Sequence, residues 1–495
     1  MLKLRFILFL ILAMPLHAEK TQMLACSYYD KLEPALNASL IHPGLSWVWA
    51  KGLNSEKICL NGEKNDGFYE VNEVISCEGI FTSFAPVYYA NSSDTAMRLC
   101  ENALREAYPD SYESKVIVSM MAKSSFLSIN SSPPVFHELA QGKQHGINKI
   151  VVFGDSLSDQ GNLKSWFRLL LKSPYMGGRF TNGPNWLDYL HMETGIAIQN
   201  WSMGGAVTDI KANEYHRIST KIAGSVSDEI KRYRQQLGDD DKINNLASTL
   251  FIIWTGGNDY LSKLYSKNSM ATFIDKPDDQ YLGYKICIKN ITENIINHVQ
   301  TLYDIGARNF LVINMPDLGA MPEILNLQYY HRYSKKQTPS QTVKLSRTLT
   351  KISNLHNERL QARLNSFSKT YFDAQITYGN VYNGLRNVMT AKHFFNHTRR
   401  FSYQLDPDFI WKFQSNPQTI QIHQPCYTGS VWGQDCTSTV CPYPEKTLFW
   451  DNIHPSSFGH CLIGLGIHKR LFSNQVLSDP DSDNYLQRCR PELSL

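Results

Sequence analysis

Three short, unbroken apolar stretches mark the middle of the chain: Lys149 to Phe153, Thr249 to Trp254 and Asn309 to Asn314. Runs of this length, rich in β-branched and aromatic residues, read as strands covered on both faces, as in a parallel sheet. Between the last two, Ile291, Ile295, Ile296, Val299 and Leu302 recur at helical spacing within residues 288–305. A longer helix is expected over about residues 341–368, with Leu345, Leu349, Ile352, Leu355, Leu360 and Leu364 as its apolar face. Strand and helix in alternation predict a doubly wound α/β domain. In such sheets a ligand sits beyond the carboxyl ends of the strands.

Upstream the pattern is different. Ser92-Ser93-Asp94 can cap a helix that places Met97, Cys100, Leu104 and Ala107 on one stripe, and an apolar patch surrounds Trp47 and Trp49. A polar, proline-bearing stretch then separates this region from the strands and helices. At the start, Lys3 and Arg5 precede an apolar run from Phe6 to Leu16, with Ala18 at a small-residue cut site. That is the pattern of a secretory signal peptide, too short to span a bilayer comfortably; an uncleaved anchor is the rival reading. The expected organisation is a signal peptide at 1–18, a small cysteine-containing domain at 19–123, a linker at 124–146, an α/β domain at 147–475 and a tail at 476–495.

The net charge of +4 includes Lys3 and Arg5, so the chain without its leader lies closer to neutral. That balance speaks against a nucleic-acid partner held by phosphate neutralisation. The ten cysteines all follow residue 18, and an even number in an exported chain favours disulfides, of unreadable connectivity, over metal. Cys436 and Cys441 have zinc-like proximity but no histidine at finger spacing. Cys100, on the buried stripe, is expected to staple the small domain. Asn200 heads one of six Asn-x-Ser/Thr sequons, which at this length arise by chance.

Candidate chemistry clusters at predicted strand ends. Gly154-Asp155-Ser156 follows the first strand and precedes a helix-like segment at 161–171. Ser158-Asp159 can cap that helix, which leaves the Ser156 hydroxyl spare; a capping role for Ser156 is the plain alternative. Paired glycines in Asn200-Trp201-Ser202-Met203-Gly204-Gly205-Ala206 let the backbone turn and bring an N–H close to a bound group. Asn258, after the strand at 249–254, is a neutral donor suited to a developing oxyanion, although Asn-Asp is more often a turn. Asp451 precedes His454 by three residues and can hold its Nδ1, leaving Nε2 for a serine.

These blocks, GDSLSDQGN (154–162), PYMGGRFTNGPNWLDYL (174–190), NWSMGGA (200–206), GGND (256–259), NMPDLGAMP (314–322) and FWDNIHPSSFGH (449–460), resemble the GDSL esterases and lipases in their SGNH form. The PYMGGRFTNG block and the long insert before the Asp-His pair look most like the secreted bacterial phospholipase and glycerophospholipid:cholesterol acyltransferase branch. The resemblance implies a flavodoxin-like parallel sheet of the SGNH type. It makes Ser156 the nucleophile, His454 the base and Asp451 its orienting acid, with Ser156 N–H, Gly205 N–H and the Asn258 amide as oxyanion donors. No cofactor or metal is implied. A GxSxG elbow is absent, since Ser158 stands where its second glycine would be, which disfavours the larger α/β-hydrolase superfamily.

The expected activity is therefore that of an exported serine esterase acting on lipid esters at a membrane or micelle surface. A sterol-like alcohol can replace water as acyl acceptor. The branch also carries a disulfide-tethered loop that restricts the site until proteolysis, implying an activating protease; here three cysteines, Cys426, Cys436 and Cys441, compete for that loop, with Cys461 and Cys489 as further partners. Tyr329, Tyr330, Tyr333, Phe394, Phe395, Phe401, Tyr403 and Trp411 line either an acyl groove or the insert's own core. Two rivals remain: a carbohydrate O-acetylesterase whose N-terminal module stacks Trp47 and Trp49 on sugars, and a non-catalytic binding protein on the same scaffold.

Overall fold

In the computed structural model, strand β5 (Lys149–Gly154) is the second of five parallel strands, with β6 (Ala197–Asn200) on one side and β7 (Thr249–Trp254), β8 (Asn309–Ile313) and β9 (Gln375–Gly379) on the other. The spatial order β6-β5-β7-β8-β9 is the flavodoxin-like arrangement. Ile150, Val151, Val152 and Phe153 are fully buried, which is why this strand carries no polar alternation. The structure describes residues 24–30, 46–50, 82–86, 93–125, 146–163, 171, 174–175, 178–210, 223–237, 246–264, 281–325, 338–390, 421–431, 438–441, 444, 447–472 and 489. The expected leader at 1–18, most of the expected linker, Cys59, Cys77, Cys436 and the eight aromatics of the insert lie outside them.

The antiparallel sheet near the amino end has the order β2-β1-β4-β3, from β1 (Leu24–Asp30), β2 (Ser46–Ala50), β3 (Thr82–Pro86) and β4 (Lys115–Ser125). Trp47 and Trp49 thus belong to a strand, paired in register with Ser27 and Ala25. Helix α1 (Ser93–Ala107) packs on this sheet, burying Cys100, Ala103 and Leu104, and Cys100 is disulfide-bonded. Residues 124–125, expected to open the linker, instead complete β4, where Ser125 pairs with Thr82.

The helices flanking the parallel sheet are α2 (Trp186–Thr194), α3 (Val226–Gln236), α4 (Gly257–Leu264), α5 (Tyr281–Asp304), α6 (Pro322–Leu325), α7 (Pro339–Thr370), α8 (Val381–Thr390) and α9 (Ser457–Phe472). Thr338 and Gln341 form a capping box at the start of α7, with Pro339 at its first position. The predicted stripe holds for Leu345, Leu349, Ile352, Leu360 and Leu364, but Leu355 is only half-buried. Its place on the inner face is taken by His356 and Asn357, with Ser353 a turn earlier, all polar and buried. Asn357 clamps both the N–H (2.8 Å) and the carbonyl (2.9 Å) of Met315, and Ser353 accepts from Leu318 N–H, so this helix holds the loop after β8 by hydrogen bonds rather than by packing alone.

Two disulfides resolve part of the cysteine arithmetic. Cys426 bonds Cys441, closing a loop over a separation of 15 residues, and Cys461 on α9 bonds Cys489. Cys441 is therefore no zinc ligand, and Cys489, within the expected tail, is bonded to α9. A loop of that length stabilises a fold by about 3 kcal/mol in the chain-entropy model. Parallel strands β10 (Gln421–Pro425) and β11 (Thr447–Phe449) flank this loop. Leu171, expected at the end of a helix, has φ +53° instead; its side chain is fully buried and its N–H donates to Val431 carbonyl at 2.6 Å, so tertiary contacts hold a conformation that leucine otherwise avoids.

Candidate active site

Ser156 owes its place to the end of β5. A Cβ on Gly154 would stand 2.4 Å from the carbonyl oxygen of Trp254, so only glycine lets the two strands close here. The chain then turns sharply, with Ser158 and Asp159 N–H groups both bonded to the Asp155 carbonyl at 3.0 Å. The cap that follows is Asp159, whose carboxylate accepts from Gly161, Asn162 and Leu163 N–H. Ser158 is occupied as acceptor for Trp186 Nε1–H. The Ser156 hydroxyl is left for other work.

That hydroxyl lies 2.8 Å from His454 Nε2, across 298 residues of chain. On the other side of the ring, Nδ1 is 2.8 Å from Asp451 Oδ2 and 2.9 Å from Oδ1. With the carboxylate facing Nδ1, the proton belongs there, and Nε2 presents a lone pair to the serine. Asp451 also accepts from Ile453 and His454 N–H at 2.8 Å each and from the Tyr175 hydroxyl at 2.8 Å. Burial pushes the Asp451 carboxyl up, but its electrostatic attraction to the His454 ring and the hydrogen bonds from His454 and Ile453 outweigh it and hold the group below the ordinary carboxylate range. Phe180 lies tilted against the imidazole, with ring centroids 4.7 Å apart.

The glycine loop is drawn to the serine by two buried acids. Asp159 accepts Gly204 N–H at 2.7 Å, and Glu229 accepts both Gly154 N–H (2.9 Å) and Met203 N–H (3.2 Å). Gly204 meets the Phe180 ring so closely that a Cβ would stand 2.3 Å from it, and Gly205 has φ +89°. Among the described residues, nothing accepts from the N–H groups of Ser156 and Gly205. Asn258, in the first turn of α4, donates one amide proton to Ala206 carbonyl at 3.0 Å, which leaves a second. Thr208, just beyond, is gripped by Asp259 through both N–H (2.9 Å) and hydroxyl (2.8 Å). Serine, glycine loop and asparagine are thus bonded into one unit.

Ser156 and Asn258 share a groove with an empty volume of ≈ 810 Å³, mouth included. Its walls are Met315, Leu318 and Met321 from the NMPDLGAMP block, Leu385 and Met389 from α8, and Ile453 and Ile463. Gly205 does not line it. Asp155 does, and burial with one N–H partner, Leu157, leaves its carboxyl pushed up to about 7. Sequence reasoning named Asp159 as a cap but missed its bond to Gly204, and it missed Tyr175, Glu229 and the methionine wall. The apolar residues 315, 318 and 321, and 382, 385 and 389 at helical spacing, were the available signal for the wall. Asn200 is fully buried with its amide bonded to Ser158 carbonyl and Gln160, so its sequon is structural coincidence.

A family model described as GDSL-like lipase/acylhydrolase matches residues 150–467, most of the chain and all of the groups just described. The chain belongs to the GDSL-like lipase/acylhydrolase family. Curated relatives of this GDSL chain include a GDSL esterase/lipase of Arabidopsis thaliana, 24% identical over 65% of this chain and 89% of the relative. A phosphatidylcholine-sterol acyltransferase of Aeromonas hydrophila is 26% identical over 66% and 90%. A thermolabile hemolysin of Vibrio parahaemolyticus is 22% identical over 84% and 81%, a likeness that extends beyond the GDSL segment. Membership makes the chain an esterase or lipase by family and fixes the parallel α/β sheet as its GDSL scaffold.

Proposed function

We propose that this GDSL protein is an exported serine lipolytic enzyme that cleaves carboxylic esters of lipids and phospholipids through an acyl-serine. The observation that carries this reading is the Ser156–His454–Asp451 chain of contacts opening onto an apolar groove. Ser156 Oγ attacks the ester carbonyl while His454 Nε2 takes its proton; the oxyanion meets the N–H groups of Ser156 and Gly205 and the spare Asn258 amide proton. Collapse breaks the ester C–O bond, and His454 returns the proton to the departing alcohol. Water or a second alcohol, deprotonated by His454, then attacks the acyl-serine and releases acid or new ester.

A methionine-lined groove suits a long, flexible acyl chain better than an acetyl group, which favours the lipase reading over the O-acetylesterase. The phosphatidylcholine-sterol acyltransferase relative supports phospholipid as acyl donor and a sterol as an acceptor beside water. The leader at 1–18, two disulfides and the absence of a membrane-crossing helix among the described residues favour export. The antiparallel sheet formed within residues 24–125 serves this reading as an accessory domain.

The test pairs a fluorophosphonate probe with a chain-length series. Labelling of the wild type but not of Ser156→Ala, with p-nitrophenyl octanoate or palmitate cleaved faster than acetate, is expected. Strict preference for acetate would favour the carbohydrate esterase, and an unlabelled wild type would return the chain to the binding-protein reading. Phosphatidylcholine vesicles with and without cholesterol, resolved by product, then separate hydrolysis from acyl transfer.

A further inference from the structure

Tyr175 belongs to the PYMGGRF block and has no part in the scheme above. Its side chain is almost wholly buried, and its hydroxyl donates to Asp451 Oδ2 at 2.8 Å from 276 residues away. Among the described residues it is the one donor to that carboxylate from outside residues 453–454. Ile453 and His454 N–H move with the loop that carries Asp451, so they fix the carboxylate only relative to its own turn. Tyr175 fixes it relative to the body of the protein.

The ring is held in turn. It stands edge-on to Tyr427 (5.5 Å) and Trp450 (6.3 Å), which stack on each other at 5.6 Å. Tyr427 N–H bonds Trp450 carbonyl at 2.7 Å, and Tyr427 follows Cys426 of the Cys426–Cys441 disulfide. Oδ2 therefore receives the Tyr175 hydroxyl, Oδ1 receives the two backbone N–H groups, and His454 Nδ1–H lies between the two oxygens. Rotation of the carboxylate would break more than one of these contacts at once.

We propose that Tyr175 is a positioning residue for the reaction at Ser156, its hydroxyl locking the Asp451 carboxylate in the rotamer that aims His454 Nε2 at the serine. The proposal rests on the roles given to Ser156, His454 and Asp451 above. A ring present only for packing would do its work as well without the hydroxyl, so Tyr175→Phe separates the two.

In Tyr175→Phe, kcat on p-nitrophenyl octanoate and the rate of fluorophosphonate labelling should both fall about tenfold, the loss of one hydrogen bond to a charged group, with KM within about twofold of wild type. A carboxylate deprived of a donor binds the imidazolium more strongly, so the acid limb of kcat/KM should move to higher pH by about half a unit. Asp155 from the end of β5 and His460 on α9 also act on His454 electrostatically; both are unchanged in the variant, so the shift is read as a difference from wild type. The Nδ1–H proton resonance of His454 should move as well. Wild-type rates with a wild-type acid limb would overturn the proposal, as would a loss of activity that merely tracks lost folded protein, scored by circular dichroism, with an unmoved limb. A wild type that the probe never labels would remove the triad reading and this proposal with it, whereas equal labelling of wild type and variant would remove this proposal alone.

Discussion

The serine side of the groove and the histidine side are built by different means. Around Ser156, buried polar groups do the holding: Asp159, Asn162, Asn200 and Glu229 bond the backbone of the strand ends, and Gln160 passes the network on to Asp188 and its bidentate partner Arg179. Around His454 the support is aromatic and covalent, from Phe180, Tyr175, Tyr427, Trp450 and the Cys426–Cys441 disulfide. A satisfied polar network specifies one geometry but fails badly when a single partner is lost. An aromatic cluster degrades by degrees.

The largest expected effect therefore lies on the polar side. Arg179 and Asp188 are both fully buried at 2.6 Å, and Arg179→Met strands the carboxylate, which should cost about 3–5 kcal/mol in urea unfolding. A loss under about 1 kcal/mol would show that network to be as replaceable as packing. Next comes Asn258→Ala, which bridges to the glycine loop: kcat should fall about 10²–10³-fold with the fold intact by circular dichroism, and an unchanged kcat would take Asn258 out of the oxyanion hole. On the other side, the Cys426→Ser/Cys441→Ser pair should lose about 3 kcal/mol. A thermal melt checks this, and labelling of Ser156 should slow while the serine side stays folded.

The comparison also has a pH dependence, and its sign differs between the sides. Asp155 is raised to about 7 in the fold from 3.8, so between those values the unfolded chain binds fewer protons and stability falls as pH rises. Asp451 is lowered, so its contribution is present above the ordinary carboxylate pKa and is lost as pH falls through its folded value. Unfolding of wild type and Asp155→Asn compared from about pH 4 to 7 should show a steeper decline in the wild type, by up to about 1.4 kcal/mol per pH unit, with the remaining decline of the variant left to Asp159 and Glu229, whose carboxyls burial also raises. Parallel slopes would mean that Asp155 does not titrate in that window.

How much of this was legible in the chain follows from the same contrast. β5, β7 and β8 announce themselves because both faces are covered, while the edge strands β6 and β9, as Ala-Ile-Gln-Asn and Gln-Ile-Thr-Tyr-Gly, carry too little apolar character to stand out. Ser156, Asp451, His454 and Asn258 sit in short blocks whose neighbours name their chemistry. Tyr175, Glu229 and Asp159 act across 276, 75 and 45 residues, on the Asp451 carboxylate and the backbone N–H groups of Gly154 and Gly204, and no local pattern records such a partner. Leu355 packs only against the margin of the core, because α7 uses polar side chains beside it to hold a loop, which a hydrophobic stripe does not reveal.

The 298 residues between Ser156 and its base have a consequence for the life of the molecule. A ribosome needs on the order of 15–60 s to add that much chain, and throughout this interval the hydroxyl has no proton acceptor. On the mechanism proposed for Ser156, nascent and truncated products that stop short of His454 lack the base and should be crippled toward esters, so a cell making this protein would meet its chemistry only once synthesis of the domain is nearly finished. Chain completion itself acts as the safety catch.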